Sequence, residues 1–225
     1  MKLERETTTH AVQDYVKAIY SLEAREGRAV STSALAERLE VSPASASAMC
    51  KRLDSLGLVR HERYRGVRLT SHGHRMALEV LRHHRLIESY LADALGVPWD
   101  RVHAEAEVLE HAMSPELVER MADKLGNPTH DPHGDPIPTR EGEIDEGHSR
   151  ALAELEPGER GIFARISDSD PEMLRYLHER GIAPGAEVEL RGRVPFGGPL
   201  TVTVEGADHA LGEELASAMR IEGVR

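Results

Sequence analysis

The pattern of hydrophobic and polar positions in the first 75 residues predicts three helices followed by a β-hairpin. In HAVQDYVKAIYSLEAREG (10–27) apolar side chains recur at helical spacing, and the pattern stops at a glycine. A Ser/Thr cap opens STSALAERLEVS (31–42), and a first-turn proline opens SPASASAMCKRLDSLGLV (42–59), so each predicts a short helix. LVRHERYRGVRLTSHG (58–73) has the pattern of two short strands around a turn. This order is typical of a winged helix-turn-helix.

The next third of the chain is predicted to be helical as far as residue 125. HRMALEVLRHHRLIESYLADALGV (74–97) predicts a long amphipathic helix that ends near a glycine and a proline. VHAEAEVLEHAMS (102–114) predicts a second helix, and residues 115–125 predict a short third one. The following segment, 126–147, is rich in Pro, Gly, His and Asp and has no periodicity, which indicates a linker.

The last 75 residues predict a small β-barrel-like domain. GERGIFARISD (158–168), AEVELRGRV (186–194) and LTVTVEG (200–206) have strand patterns with turns between them, and DPEMLRYLHERG (170–181) predicts a short helix. The predicted fold is therefore multidomain, mainly α with a small β part. We expect a winged helix-turn-helix in 1–75, a helical domain with its linker in 76–147, and a β domain in 148–225.

Composition narrows the class of protein. The single cysteine, Cys50, excludes an internal disulfide and a cysteine-rich zinc module. The apolar runs are too short for a membrane span or a signal peptide, so we expect a cytoplasmic protein without a membrane partner. The net charge is −11, yet residues 1–75 contain 13 Lys and Arg against 9 Asp and Glu. The N-terminal segment is therefore basic enough to form a local DNA-binding surface.

In a winged helix-turn-helix the second helix of the pair enters the major groove, and the wing contacts the DNA backbone beside it. Small hydroxylated residues open this helix, and the wing is basic, which suits phosphate bonds and close approach to bases. The alternative is that serine and alanine merely build a plain helix. The candidate DNA-binding residues are Ser42, Pro43, Ser45, Ser47, Lys51, Arg52, Arg63, Tyr64 and Arg65.

The segment 102–114 also gathers groups that titrate. On a helix, four of its side chains fall within an arc of about 100°, whereas Glu105 points away. Carboxylates three residues apart repel unless a positive charge lies between them, so a divalent cation would suit this face. The alternative is an exposed acidic helix face. The four residues are His103, Glu107, Glu110 and His111.

A second candidate metal site combines distant segments. His84 and Glu88 lie one helical turn apart and can grip a cation together with His103. The linker offers His130, Asp131 and His133, and the barrel offers Asp168, Asp170 and Glu172. For any one of these loop residues a solvated polar role is an equal alternative, and only their convergence would indicate a site.

The winged helix, HHRLIE, VHAEAEVLEHAMS and DPHGDPIP occur in that order, and the sequence thereby resembles the diphtheria-toxin-repressor family of iron- and manganese-dependent transcriptional regulators. The resemblance covers essentially the whole chain. It implies a DNA-binding domain, a helical dimerisation and metal-binding domain, and an SH3-like (FeoA-like) C-terminal domain after a flexible linker. It also implies a homodimer on double-stranded DNA with a palindromic operator.

The resemblance implies two sets of metal ligands. The primary set is Asp14, Glu107, Glu110 and His111. The ancillary set is His84, Glu88 and His103, supplemented by Asp131, His133 and Asp170, with Asp170 favoured over Glu172 because Met173 replaces an amide donor of iron-type members.

The sequence departs from the iron-responsive members at two primary positions. Those members carry Met and Cys where this chain has Asp14 and Glu107. The hard oxygen donors of Asp14 and Glu107 favour Mn²⁺ over softer metals, and Fe²⁺ is the alternative. Lys17 replaces a bridging glutamate and an extra barrel domain follows, and both departures argue against a closely spaced two-manganese cluster.

These implications predict a Mn²⁺-activated repressor of metal-uptake genes, in which the cation draws the DNA-binding and helical domains together. The alternatives are an Fe²⁺-responsive repressor, a metal-dependent hydrolase, and a regulator that needs no metal. The hydrolase has no clear nucleophile motif and leaves the winged helix unexplained.

Overall fold

A computed structural model describes residues 10–62, 65–168 and 170–225, which form two compact units. The first unit extends to His83 and takes in Pro138–Glu143. The second contains His84–Ile137 and Ile144–Arg225. One long helix, α4 (Ser71–Leu95), contributes residues to both units.

The first unit contains the predicted winged helix-turn-helix. Its elements are α1 (His10–Glu26), α2 (Thr32–Arg38), α3 (Pro43–Ser55), β1 (Val59–Glu62) and β2 (Gly66–Leu69), followed by the start of α4. The side chains of Ser31 and Ser42 cap α2 and α3 by accepting the backbone N–H groups of Ala34 and Ser45. The apolar residues at helical spacing are buried in the core, as the pattern predicts: Val12, Val16, Ile19, Leu35, Ala46 and Leu53.

The wing is an antiparallel hairpin held against the segment before α2. Val59 pairs with Leu69, and Val30 and Val67 exchange two backbone hydrogen bonds of 2.9 Å. Gly66 has a φ of +95°, and a Cβ at this position would lie 2.4 Å from the carbonyl oxygen of Val30. Only glycine fits this turn. Arg63 and Tyr64, two candidate DNA-binding residues of the wing, lie outside the described residues.

The helices of the second unit are the rest of α4, α5 (Trp99–Leu109) and α6 (Pro115–Lys124). The helix predicted to continue through Met113 ends at Leu109, and His111 lies in the turn that follows. Pro115 keeps a helix from running on through Ser114, because the residue before a proline avoids helical geometry, and Ser114 has an extended φ of −77° and ψ of 147°. His111 is therefore placed by a turn and not by helical periodicity.

The second unit also contains a six-stranded antiparallel sheet. Its strands are β3 (Ser149–Ala151), β4 (Arg160–Ile166), β5 (Glu187–Arg193), β6 (Leu200–Val204), β7 (Ala207–Leu211) and β8 (Met219–Glu222), in the order β3-β8-β4-β5-β6-β7. Helices α7 (Pro171–His178) and α8 (Glu213–Ala218) add Leu174, Leu177, Leu215 and Ala216 to its apolar core. The alternation in the predicted strands matches the burial of β6, where Leu200, Val202 and Val204 point inward.

The segment predicted as a linker contains an ordered loop, residues 130–137. The Asp131 carboxylate accepts the backbone N–H groups of His133 at 2.8 Å and Asp135 at 2.9 Å. The carbonyl of His133 in turn accepts the N–H of Ile166, the last residue of β4. Gly134 lies so close to the β4 backbone that a Cβ would meet the carbonyl oxygen of Ala164. The loop is therefore fixed to the sheet.

Candidate functional site

Helix α4 supplies the centre of the candidate metal site. His84 and Glu88 lie one turn apart, both are buried, and His84 Nε2 is 3.0 Å from Glu88 Oε1. Helix α5 adds His103, whose Nδ1 lies 3.1 Å from His84 Nε2 and 3.2 Å from Glu88 Oε1. Asp168, just after β4, completes this group, with Oδ2 at 2.7 Å from His103 Nδ1. Four donor atoms from three segments thus converge within the second unit.

The ordered loop brings two more donors to the other side of Glu88. Asp131 and His133 form a second group with this glutamate, and all three are buried. His133 Nε2 donates to the backbone carbonyl of Trp99 at 2.8 Å. Because a carbonyl only accepts, Nε2 carries a proton, and Nδ1 of the neutral ring presents a lone pair.

That lone pair faces an oxygen which also only accepts. His133 Nδ1 lies 3.9 Å from Glu88 Oε2. Neither atom has a hydrogen-bond partner, and both are inaccessible to solvent. Two buried acceptors in this arrangement are costly unless a cation lies between them. The geometry of these residues is therefore suited to a bound metal ion.

The remaining predicted ligands of the second unit lie next to His84. His84 Nδ1 is 2.5 Å from Glu110 Oε2 and 3.9 Å from Glu107 Oε1. His111 Nε2 is 3.4 Å from the other oxygen of Glu110. His84, Glu107 and Glu110 form a further group that could hold a cation. Glu105 is exposed, as its angular position predicts.

The charges of the site show that it requires positive partners. Burial raises the pKa of Glu88, but His84 and His103 outweigh burial and hold this pKa well below its usual value. Burial lowers the pKa of His103, but Asp168 and Glu88 raise it to about 10. A charged imidazole therefore balances these carboxylates when only protons are available.

The surroundings of Asp131 stabilise its charged form less than those of Glu88 do. Burial, followed by the charges of Asp135 and Glu88, raises its pKa well above the usual value, and Arg85 only partly opposes this. Arg85 Nε lies 3.7 Å from Asp131 Oδ2, and its guanidinium also donates to the carbonyl of Pro136. A cation beside Asp131, in addition to the Arg85 guanidinium, would stabilise its charged form.

Two other predicted ligands belong to α1 and to the start of α7. Asp170 is the N-cap of α7, and its Oδ1 accepts the N–H groups of Glu172 at 2.9 Å and Met173 at 3.3 Å. The barrel carboxylate that reaches the other ligands is Asp168 instead. Asp14 lies on α1 of the first unit and is partly buried.

The predicted DNA-reading residues lie at the start of α3. Ser42, Pro43 and Ser45 are exposed, as are Lys51 and Arg52 one to two turns later, and Ser47 is partly buried. The hydroxyl of Ser42 caps the helix and lies 2.8 Å from that of Ser45. Arg65 of the wing is exposed.

Three family models match the chain in succession. They are an iron dependent repressor N-terminal DNA binding domain at residues 7–67, an iron dependent repressor metal binding and dimerisation domain at 70–139, and a FeoA domain at 150–223. The iron-dependent repressor IdeR of Mycobacterium tuberculosis is 34% identical over 224 residues, which cover 93% of this chain and 96% of that protein. The diphtheria toxin repressor of Corynebacterium glutamicum is 34% identical over 221 residues, covering 93% and 95%. The chain belongs to the diphtheria-toxin-repressor family.

Solved structures of repressors from this family have a fold similar to that of this chain. A manganese-dependent transcriptional repressor in complex with manganese has a TM-score of 0.87 and 43% identity, covering 93% of this chain and 98% of its own. The repressor ScaR with bound Zn²⁺ has a TM-score of 0.79 and 32% identity, covering 94% and 98%.

Membership in the diphtheria-toxin-repressor family confirms the resemblance and the multidomain fold with a FeoA domain. The family consists of metal-dependent, DNA-binding transcriptional repressors, not enzymes, which removes the hydrolase alternative. No helix in the described part of the chain is long and apolar enough to cross a membrane.

Sequence reasoning about this family member missed two residues that shape the site. Trp99 fixes the tautomer of His133 through its backbone carbonyl, which no side-chain pattern reveals. Arg85 follows His84 directly, but its partners lie 46 and 50 positions further along, in the loop. The N-cap role of Asp170 could have been predicted from the sequence, because an aspartate before a proline and a glutamate is a common helix N-cap.

Proposed function

We propose that this chain is a Mn²⁺-activated, homodimeric repressor of genes for metal-ion uptake. The observation that carries this proposal is the pair of buried acceptors, Glu88 Oε2 and His133 Nδ1, which face each other at 3.9 Å without hydrogen-bond partners. A divalent cation would supply the positive charge that this arrangement lacks. Its ligands would be His84, Glu88, His103, Asp131, His133 and Asp168 in the ancillary centre.

The donor set supports manganese over softer metals. The gathered atoms of the second unit are carboxylate oxygens and imidazole nitrogens, and oxygen donors suit Mn²⁺. The one cysteine, Cys50, is buried in the core of the first unit. Fe²⁺ remains the alternative metal, since both iron-dependent and manganese-dependent repressors are among the relatives.

The primary ligands in this proposal are Glu107, Glu110 and His111 of the second unit together with Asp14 of α1, as the resemblance implies. When the cation is bound, it offsets the repulsion between these carboxylates. Since α1 belongs to the DNA-binding domain, this ligand set would make DNA affinity depend on metal, and metal affinity would depend equally on DNA.

The DNA-binding part of the proposal rests on α3 and the wing. An exposed, capped helix with small residues at its start suits the major groove, and a homodimer would meet two half-sites of a palindromic operator about 34 Å apart. A repressor of this kind acts in the cytoplasm.

The test is operator binding across metals. A fluorescent duplex would be selected from random sequences by the Mn²⁺-loaded protein, and anisotropy would be measured with Mn²⁺, Fe²⁺, Zn²⁺ or a chelator under anaerobic conditions. We expect Mn²⁺ to tighten binding by on the order of 10–100-fold over chelator. Equal binding with chelator would contradict the proposal, and stronger activation by Fe²⁺ at matched free concentration would favour the iron alternative.

A further inference from the structure

Glu88 lies between two groups of donor atoms. The first group consists of His84, Glu88, His103 and Asp168, and the second of Glu88, Asp131 and His133. We propose that Glu88 bridges two divalent cations, one in each group, so that the ancillary centre is dinuclear. This inference rests on the proposed function, because both take these residues to be metal ligands.

The two carboxylate oxygens of Glu88 face different partners. Oε1 lies 3.0 Å from His84 Nε2 and 3.2 Å from His103 Nδ1. Oε2 faces His133 Nδ1 at 3.9 Å and accepts no hydrogen bond. A carboxylate that divides its oxygens in this way is arranged to bridge two ions.

The first group has the spacing that one cation requires. Its neighbouring donor atoms are separated by 2.7 to 3.2 Å. Ligands about 2.1 Å from an ion and at right angles to each other lie about 3 Å apart. The group therefore needs no contribution from Asp131 or His133 to hold its ion.

The second group remains unsatisfied if only the first is filled. An ion bound to Oε1 leaves Oε2 and His133 Nδ1 as two buried acceptors facing each other. The Nε2 of His133 is already committed to the Trp99 carbonyl at 2.8 Å, so Nδ1 is the ring atom left to face Glu88. A second cation satisfies both atoms and also the Asp131 carboxylate.

The charge balance agrees with two ions. The carboxylates of Glu88, Asp131 and Asp168 belong to the two groups, and one divalent cation offsets only part of their three negative charges. The nearby Arg85 is balanced by Asp135, whose Oδ2 lies 3.9 Å from Nη2. Paired metal sites in proteins have ions about 3.5–4 Å apart, a separation that one bridging carboxylate spans.

The experiment uses the full chain with Mn²⁺ as the only metal. Electron paramagnetic resonance at low temperature separates isolated Mn²⁺ from an exchange-coupled pair, whose hyperfine lines have about half the usual spacing. Bound metal per chain would be measured on the same samples by mass spectrometry after equilibrium dialysis, and operator binding by anisotropy. We expect a coupled signal at saturation in the wild-type protein.

Three variants assign the signal to Glu88. His133→Ala removes a ligand of the second group only, and His103→Ala removes one of the first group only, so each should abolish the coupled signal and lower bound Mn²⁺ by about one ion. Glu88→Gln leaves one ligating oxygen and should also abolish coupling. His130→Ala is the matched control, because His130 lies in the same loop, is exposed and belongs to neither group.

The outcomes separate the two proposals. Fully occupied wild-type protein that shows isolated Mn²⁺ alone, while Mn²⁺ still activates operator binding, would overturn the bridge and leave the repressor function in place. A coupled signal that survives in His133→Ala would also overturn it. Operator binding that is the same with and without metal would overturn the proposed function. In that case, a coupled signal that is present in the wild-type protein and lost in His133→Ala would still support the bridge. The wild-type spectrum is decisive even if a variant fails to fold.

Discussion

His84 Nδ1 lies 2.5 Å from Glu110 Oε2, and this hydrogen bond joins the two candidate sets of metal ligands. The bond holds the imidazole so that Nε2 points to Glu88 and His103. A carboxylate on the outer nitrogen of a metal-binding histidine fixes the ring and makes it a better ligand. Glu110 thereby supports the ancillary centre in addition to its own predicted role as a ligand.

We expect Glu110→Gln to weaken Mn²⁺ binding at the ancillary centre by about 10–100-fold, the usual cost of losing such a partner. The affinity would be measured by equilibrium dialysis in a background with both Asp14→Ala and Glu107→Ala, so that a change at the predicted primary site does not enter. Glu105→Gln is the control, because Glu105 is exposed on α5. Unchanged affinity in Glu110→Gln would show that the two sets act independently.

The primary ligand assignment predicts that Asp14→Ala and Glu107→Ala each abolish Mn²⁺-dependent operator binding, because each deletes an anionic ligand. Circular dichroism and gel filtration would show a folded dimer in both variants. Operator binding would be followed by anisotropy with and without Mn²⁺, with Glu105→Ala as the near-neutral comparison. Full metal activation in either variant would show that the primary site lies elsewhere.

Trp99 provides an intrinsic reporter of the ancillary centre. It is the single tryptophan of the chain, and its ring stacks on that of His133 with centroids 5.9 Å apart and an interplanar angle of 21°. We expect paramagnetic Mn²⁺ to quench its fluorescence on titration. His133→Ala should lose most of the quenching, whereas His130→Ala should retain it. Equal quenching in both would place the ion away from His133.

Arg85 holds the ligand-bearing loop against α4. Its side chain is 13% exposed, Nη1 donates to the carbonyl of Pro136 at 2.5 Å, and the guanidinium lies between Asp131 and Asp135. Arg85→Leu leaves buried acceptors without their donor, so we expect a loss of about 3 kcal/mol in the free energy of unfolding.

Urea denaturation of the metal-free protein would measure this loss. Arg85→Lys should recover part of the stability. Arg120→Leu is the matched control, because Arg120 pairs with Glu116 on an exposed helix face and should change stability by less than about 0.5 kcal/mol. An Arg85→Leu variant as stable as Arg120→Leu would contradict the role of Arg85.

The DNA-binding assignment predicts two distinguishable defects. Arg65→Ala should weaken binding to all duplexes and reduce the slope of log affinity against log salt by about 1, as for the loss of one phosphate contact. Ser45→Ala, at the start of α3, should instead change the preferred sequence in a selection experiment. Identical behaviour of the two variants would show that α3 is not the reading helix.

Much of this fold could be predicted because its helices carry apolar residues at regular spacing and its helix starts carry recognisable caps. The end of α5 was predicted less well, because the apolar stripe continues to Met113 although Ser114 and Pro115 stop the helix. Strands β3, β7 and β8 were not predicted. They are short, and β7 (Ala207–Leu211) lacks the alternation of β6.

The ligand types of the site could be predicted from the sequence, but their final partners could not. His84 and Glu88 can be predicted to lie next to each other, because they are one turn apart on the same helix, α4. The choice between Asp168 and Asp170 depends on where β4 ends and α7 begins, and two residues in an irregular turn can point in opposite directions. Contacts such as that between Arg85 and Asp135 depend on how the loop folds back, which no local pattern encodes.

The attachment of His133 to β4 limits how this protein can be shortened. The carbonyl of His133 accepts the N–H of Ile166, and Gly134 lies against Ala164 with no room for a side chain. A chain truncated before the C-terminal domain would keep the residues of the loop but lose the backbone that holds them in place, along with Asp168. On the proposed ligand assignment, the FeoA domain is therefore not an independent module added to a complete sensor. It would supply part of the sensor, so a biosensor or expression fragment designed from this protein would have to include it.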